Sequence, residues 1–354
     1  MFVFQRHRIP FTEYHKLNEF VLDSPFLKDI VDFLDIWFDH TQAQVEVATS
    51  GSTGTPKVIG LSKAAMTKSA LKSAAFFSFE KEHRTLLRLP VRFIAGKMML
   101  VRAIVSEMDI VLEAPSATEL LENMNDNEIF HFIPMTPFQF STGYAKHPNK
   151  FKRIKTILLG GGPITTDVSA ILPKVDTVVY HGFGMTETIT HVAVKKLNHG
   201  KQDSYQTLSG VTVSSDSENR LIIAADHLGG IIKTNDVVEL KGDTSFRWLS
   251  RWDNVINSGG VKLYPEQIES KLASSIEASY FIYGQEDTKL GQRPVLFVES
   301  SKIDIPELEV HFMNALDKYE RPYKIYTLPT FLRTANGKIK RKATADMYRT
   351  SKQS

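Results

Sequence analysis

Val47-Ala48-Thr49-Ser50-Gly51-Ser52-Thr53-Gly54-Thr55-Pro56-Lys57 runs from a strand-like apolar pair into a loop of hydroxylated residues and glycines that ends on a lysine. Each residue type has a use when the partner is a polyphosphate. Glycines let the backbone turn its N–H groups inward, Ser and Thr hydroxyls add donors, and a lysine brings a mobile point charge. The spacing excludes a Walker A loop, which needs Gly-Lys-Ser/Thr in direct succession, because Thr55-Pro56 separates Gly54 from Lys57. An ordinary flexible Gly/Ser/Thr loop is the competing reading of this segment alone.

A chain of 354 residues has material for two domains or one large one. Its formal net charge of +3 is too small to argue for a nucleic-acid partner, and no basic run is interleaved with aromatics. With no cysteine in the sequence, disulfides, thiolate metal sites and a cysteine nucleophile are excluded, and a reducing compartment fits. Met1 to Arg8 lack the apolar core of a signal peptide, and no uncharged run approaches a membrane span. The expectation is a soluble cytoplasmic protein.

Hydrophobic period then divides the chain. Leu27, Ile30, Val31, Leu34 and Trp37 share one helical face within residues 26 to 38, Ser62 can cap a helix through Ala64 to Ala74, and the segment after Gly96 reads as another apolar helix. Ile154 to Leu159 is strand-like and ends at Gly160-Gly161-Gly162-Pro163. Val175 to Tyr180 reads as a second strand ending at His181-Gly182-Phe183-Gly184, so both strands are expected to deliver glycine-rich turns where α/β sheets bind ligands. Short apolar runs between Leu208 and Leu249 predict a β-rich lobe, and a compact pattern of helices and strands follows Arg251. The expected class is α/β. Layered sheets, helices and the β-rich lobe would form a large domain over 1–252, with a small mobile α+β domain over 253–354.

Five segments, in order, resemble the adenylate-forming enzymes, the superfamily of acyl-CoA synthetases, luciferase-like proteins and peptide-synthetase adenylation domains. They are Thr49 to Lys57; Gly182-Phe183-Gly184-Met185-Thr186-Glu187; Thr234-Asn235-Asp236; Arg251 to Gly260 continuing to Tyr264-Pro265-Glu266-Gln267-Ile268-Glu269; and Asn336-Gly337-Lys338-Ile339-Lys340-Arg341. Any one match is weak, whereas five spanning residues 49 to 341 are strong. The resemblance implies an acid–thiol ligase working on ATP, Mg²⁺, coenzyme A and a small carboxylic acid. A carrier-protein thiol as acceptor, or a catalytically silent ATP-binding module, stands as the alternative.

By this resemblance Thr49, Ser50, Gly51, Ser52, Thr53, Gly54 and Lys57 would cradle the phosphates, with Thr186 at the α-phosphate and Glu187 on the metal. Gly161, Gly162 and Phe183 would line the adenine site, His181, Gly182 and Gly184 would belong to the same nucleotide-binding segment, and Asp236 and Arg251 would take the ribose hydroxyls. Asp253 would be the hinge, Gly259 and Gly260 would line the thiol tunnel, and Lys338 would meet the carboxylate oxygen and α-phosphate during adenylation. Bland readings stand beside these: a surface acid for Glu187, an ion pair for Asp236 and Arg251, a plain β-turn for Gly259-Gly260, and a basic tail for Lys338.

For the acid, Arg92 to Ile104 combines an apolar helix with cations, and is similar to the region reading His-Ile-Ser-Gly in the o-succinylbenzoate:CoA ligases of menaquinone biosynthesis. Phe93-Ile94-Ala95-Gly96 lacks that histidine and serine. Phe93, Lys97 and Arg102 are the substrate candidates; Arg102 would bind a second carboxylate or pair with Glu107. Only 48 residues precede Thr49, so a shortened front lobe is expected, as in the compact menaquinone ligases.

Overall fold

The computed structural model describes residues 1–48, 58–125, 127–300, 304–333 and 339–351. The expected phosphate loop, Thr49 to Lys57, and the expected adenylation lysine, Lys338, lie outside the described residues. Contacts divide the chain into two units. One comprises Met1–Ser214, Ile222–Ile232 and Leu240–Phe246, the other Ser215–Leu221, Lys233–Glu239 and Arg247–Ser354.

In the first unit a parallel series runs in the order Phe2–Phe4, Asp109–Leu112, Arg84–Leu87, Phe130–Met135, Ile154–Leu159 and Val178–Gly184. His7–Ile9 adds antiparallel to one end, and His191–Lys196 then Tyr205–Thr207 add antiparallel at the other. Strands covered on both faces read as apolar runs, and Phe130, Ile133, Met135, Ile157, Leu159 and Val179 supply the core beneath Phe140, Phe151 and Val168. The helices begin where the sequence supplies caps. Ser62 accepts the Ala65 N–H at the head of Lys63–Phe77. Thr136 and Gln139 form a reciprocal capping box at the head of Pro137–Lys146. The expected helix over 26–38 is present as Phe26–Phe38, burying Leu27, Ile30, Val31, Phe33 and Leu34, with Trp37 only partly covered.

One expectation is corrected. The second strand begins at Val178, not Val175, and continues through Gly184, so His181-Gly182-Phe183-Gly184 is strand and not a turn. The reason is close approach by the next strand: a Cβ on Gly184 would stand 2.2 Å from the Thr190 carbonyl oxygen and 2.6 Å from the His191 Cα. Gly184 faces His191 where the register shifts by a bulge between His191 and Ala193. These glycines mark a tight ladder.

The strands Gln44–Ala48 and Val58–Ser62 pair antiparallel, with Ala48 opposite Val58, so the expected phosphate loop joins two strands of a hairpin. In the second unit, Tyr280–Asp287 and Gly291–Glu299 pair along their length, and Ile325–Leu328 adds parallel to the latter. Both faces are covered. Ile282, Leu296 and Val298 pack with Ile268, Leu272, Leu308 and Phe312, while Phe281, Phe297, Tyr326 and Phe331 pack with Ala345 of the helix Arg341–Ser351. No helix among the described residues is long and apolar enough to cross a membrane.

Candidate functional site

The carboxyl ends of Ile154–Leu159 and Val178–Gly184 lie side by side, with Leu159 opposite His181, and this register brings the two glycine segments together. His181 ties them. Its Nε2 lies 3.1 Å from the Gly162 carbonyl oxygen and its Nδ1 lies 2.7 Å from the Tyr205 hydroxyl. The pair of contacts defines the tautomer: Nε2–H donates to Gly162 and Nδ1 accepts from Tyr205. Burial, with Lys195 adding repulsion, pulls His181 down to about 4, so the ring is neutral at physiological pH. Phe183 packs edge-on against Phe246 at 5.1 Å and Tyr205 at 5.6 Å.

Beyond Gly184 the chain makes a turn that carries Thr186 and Glu187. Ile189 N–H donates to the Thr186 carbonyl at 2.9 Å, and the Thr188 hydroxyl engages the Met185 N–H, the Met185 carbonyl and the Thr190 carbonyl at 2.9, 3.0 and 2.8 Å. Thr188 and Ile189 are buried, whereas Glu187 is exposed. The Glu187 carboxylate makes no hydrogen bond or ion pair among the described residues.

In the second unit Asp236 is buried, at 5% exposure. Its Oδ1 accepts the Trp248 indole N–H at 2.9 Å, and Arg251 Nη1 stands 3.4 and 3.5 Å from its two oxygens. The expected ion pair between Asp236 and Arg251 is present, at 3.4 Å, with the carboxylate buried and the guanidinium at its open side. A carboxylate fixed by an indole and a guanidinium keeps lone pairs for hydroxyl donors, and Arg251 itself is partly open to solvent. Asp253 Oδ2 is 3.5 Å from Asn235 Nδ2, and Asn254 donates to Glu266 at 2.6 Å. Gly259 and Gly260, both at positive φ (58° and 85°), form the two-residue turn between Ile256–Ser258 and Val261–Leu263. Such a turn calls for glycine on backbone grounds alone.

The three substrate candidates do not converge. Phe93 is exposed beneath the Arg92 guanidinium, and Lys97 lies 5.2 Å over the Phe33 ring, its pKa lowered by burial. Arg102, about 140° further round the helix, faces Ser73, Thr190 and His191. The expected Arg102–Glu107 pair is absent, because Glu107 pairs with Lys81 at 2.8 Å while Arg102 is buried. Ser73, Thr190, His191, Tyr205 and Trp248 were not read from the sequence; only Thr190 and His191, three and four residues past Glu187, adjoin a motif that was.

A family model described as AMP-binding enzyme matches residues 47–229. That is more than half of the chain, which belongs to this family of AMP-binding enzymes. Among curated relatives, the 2-succinylbenzoate–CoA ligase of Listeria monocytogenes is 26% identical over an alignment of 338 residues, covering 88% of this chain and 71% of the relative. That of Bacillus subtilis is 26% identical, covering 94% of this chain and 75% of the relative. Among solved structures, an acyl-CoA synthetase (AMP-forming)/AMP-acid ligase II-like protein from Dyadobacter fermentans has TM-score 0.62 at 32% identity, covering 92% of this chain and 95% of that one. The O-succinylbenzoate coenzyme A synthetase of Bacillus subtilis, in complex with ATP and magnesium ion, shares the fold, with TM-score 0.74 at 23% identity over 85% of this chain and 69% of that one.

Proposed function

We propose that this chain is an ATP-dependent acid–CoA ligase that converts o-succinylbenzoate to its CoA thioester in menaquinone biosynthesis, in the cytoplasm where ATP and CoA are at hand. The observation that carries the reading is its likeness, over most of its length, to curated relatives named 2-succinylbenzoate–CoA ligase. The chemistry has two steps. A carboxylate oxygen bonds to the α-phosphorus of ATP while the bond to pyrophosphate breaks. The CoA thiol then attacks the acyl carbon, AMP leaves, and the thiol proton passes to solvent. Neither step requires a protein nucleophile, so positioning and charge neutralisation are the protein's work.

In this reading Gly161, Gly162 and Phe183 take the adenine, with His181 holding the Gly162 carbonyl in place. Asp236 and Arg251 take the ribose hydroxyls, Thr186 the α-phosphate, and Thr53, Gly54 and Lys57 the β- and γ-phosphates. Glu187, an exposed carboxylate in a braced turn, is the oxygen donor a hard divalent cation takes. Magnesium there supplies positive charge to the phosphate oxygens. Lys338 assists adenylation, Asp253 is the hinge between a domain 1–252 and a domain 253–354, and Gly259 and Gly260 flank the CoA thiol.

One observation favours a different acid with the same chemistry: Arg102 is engaged by Ser73, Thr190 and His191. The test is to supply ATP, Mg²⁺ and CoA with a panel of acids and follow pyrophosphate and thioester. Thioester from o-succinylbenzoate is expected. No pyrophosphate with any acid would refute the ligase reading, and turnover of simple benzoates but not o-succinylbenzoate would refute the acid.

A further inference from the structure

Arg102 is 2% exposed, and among the described residues no carboxylate pairs with it. A buried guanidinium is costly unless its donors are used. Here the network has a consistent direction. Nε–H donates to Ser73 Oγ at 3.2 Å, and Nη2–H to Thr190 Oγ1 at 2.9 Å and His191 Nδ1 at 3.3 Å. His191 Nε2–H donates to Ser73 Oγ at 3.2 Å, and the Ser73 hydroxyl donates to the Ser69 carbonyl at 3.2 Å. With Nδ1 accepting, the imidazole is neutral, as burial and the adjoining guanidinium also require.

Thr190 ends the turn that carries Thr186 and Glu187, and the turn is strained. Ile189, β-branched and 2% exposed, sits at φ 68°, in the left-handed region that such residues avoid. A conformation of this kind costs on the order of 1–3 kcal/mol and persists only where its surroundings over-determine it. Around it, Ile189 N–H donates to the Thr186 carbonyl, the Thr188 hydroxyl ties Met185 to Thr190, and Arg102 reaches the Thr190 hydroxyl.

We propose that Arg102 is a positioning residue: reaching across from the helix Ile94–Val105, it braces the Met185–Thr190 turn through Thr190 and His191 and thereby sets Thr186 and Glu187 toward phosphate and metal. The inference rests on the ligase reading for the roles of those two residues. It differs from a direct contact of Arg102 with the acid's second carboxylate, and the two predict opposite kinetics.

The experiment compares Arg102→Lys, Thr190→Val and Thr190→Ser with wild type in the full chain. Calorimetry measures affinity for Mg²⁺ with α,β-methylene-ATP, and pyrophosphate release is followed with o-succinylbenzoate and with benzoate. Arg102→Lys and Thr190→Val are expected to weaken nucleotide binding about tenfold or more, as loss of a charge-assisted contact does, and to raise KM for ATP. The ratio of kcat/KM between the two acids should stay constant, and Thr190→Ser, which keeps the hydroxyl, should restore binding. Should Arg102→Lys fail to fold, Thr190→Val alone carries the test. Unchanged nucleotide affinity in folded variants, or a loss confined to the dicarboxylate, overturns the brace. Wild type that releases no pyrophosphate with any acid refutes the ligase reading while calorimetry still reads the brace; wild type that binds no nucleotide overturns both.

Discussion

Replacing Gly184 by alanine tests the reading of the His181–Gly184 segment as a strand in tight register. The added methyl would lie 2.2 Å from the Thr190 carbonyl oxygen and 2.6 Å from both the Thr190 carbonyl carbon and the His191 Cα, all of them backbone atoms. A flexible side-chain end could swing aside; these cannot, since His191 is paired opposite Gly184 and followed by a bulge. Overpacking of this kind costs about 1–3 kcal/mol, and contact with backbone puts it at the upper end. For a unit of about 230 residues, 3 kcal/mol lowers Tm by roughly 6–12 °C. Gly160→Ala is the control, because a Cβ there meets nothing within 4 Å and its φ is not positive. Thermal denaturation of both variants, with nucleotide affinity alongside, reads the difference. The Gly184 variant should melt well below the Gly160 variant and bind nucleotide more weakly, since any relief must move the chain leading to Thr186. A Gly184→Ala protein melting within about 2 °C of wild type would refute the close approach and with it the strand register.

Other expectations follow from the same geometry. Arg341 donates to both oxygens of Glu269 at 2.7 and 2.9 Å, so Arg341→Met should destabilise the second unit by about 3 kcal/mol in urea denaturation, and Glu269→Gln in that background should recover part of it. Burial raises Glu269 to about 7 against the pull of Arg341. The folded state therefore keeps a proton that the unfolded chain releases, this contribution to stability falls as pH rises from 4.5 to 7, and the Arg341→Met loss should be larger at pH 8 than at pH 5. His181 acts with the opposite sign: depressed from 6.5 to about 4, it supports the fold fully above 6.5 and withdraws that support as pH falls. His181→Gln should flatten the denaturation midpoint over that window, and an unchanged profile would contradict the neutral, doubly bonded ring. Thr136→Ala, which removes one half of the capping box at the head of Pro137–Lys146, should cost about 1 kcal/mol in the same assay.

What the sequence made legible was whatever local period or motif order could carry. The helix Phe26–Phe38 announced itself through Leu27, Ile30, Val31 and Leu34, and the strand Ile154–Leu159 through its apolar run. The order of five motifs pointed to the family that the comparison bears out. The segment from Val178 to Gly184 misled because glycine usually signals a turn, and only a strand arriving from His191–Lys196 shows that the missing side chains are needed for pairing. Arg102 was equally opaque. A helical pattern shows a cation among apolar residues, but its partner Thr190 is 88 residues away. Ser73, Tyr205 and Trp248 belong to no motif; tertiary contact alone gives them work.

The hairpin Gln44–Ala48/Val58–Ser62 carries a last consequence. Ala48 and Val58 are held opposite each other, so the nine residues between them begin and end at a fixed separation set by the ladder. The entropy of closing such a loop grows only with the logarithm of its length, about 0.6 kcal/mol for a doubling. Foldability of the hairpin is thus only weakly sensitive to how many residues it connects. Under the ligase reading, that connection is therefore where length and composition could be rewritten to tune nucleotide affinity at little cost to the paired strands beneath it.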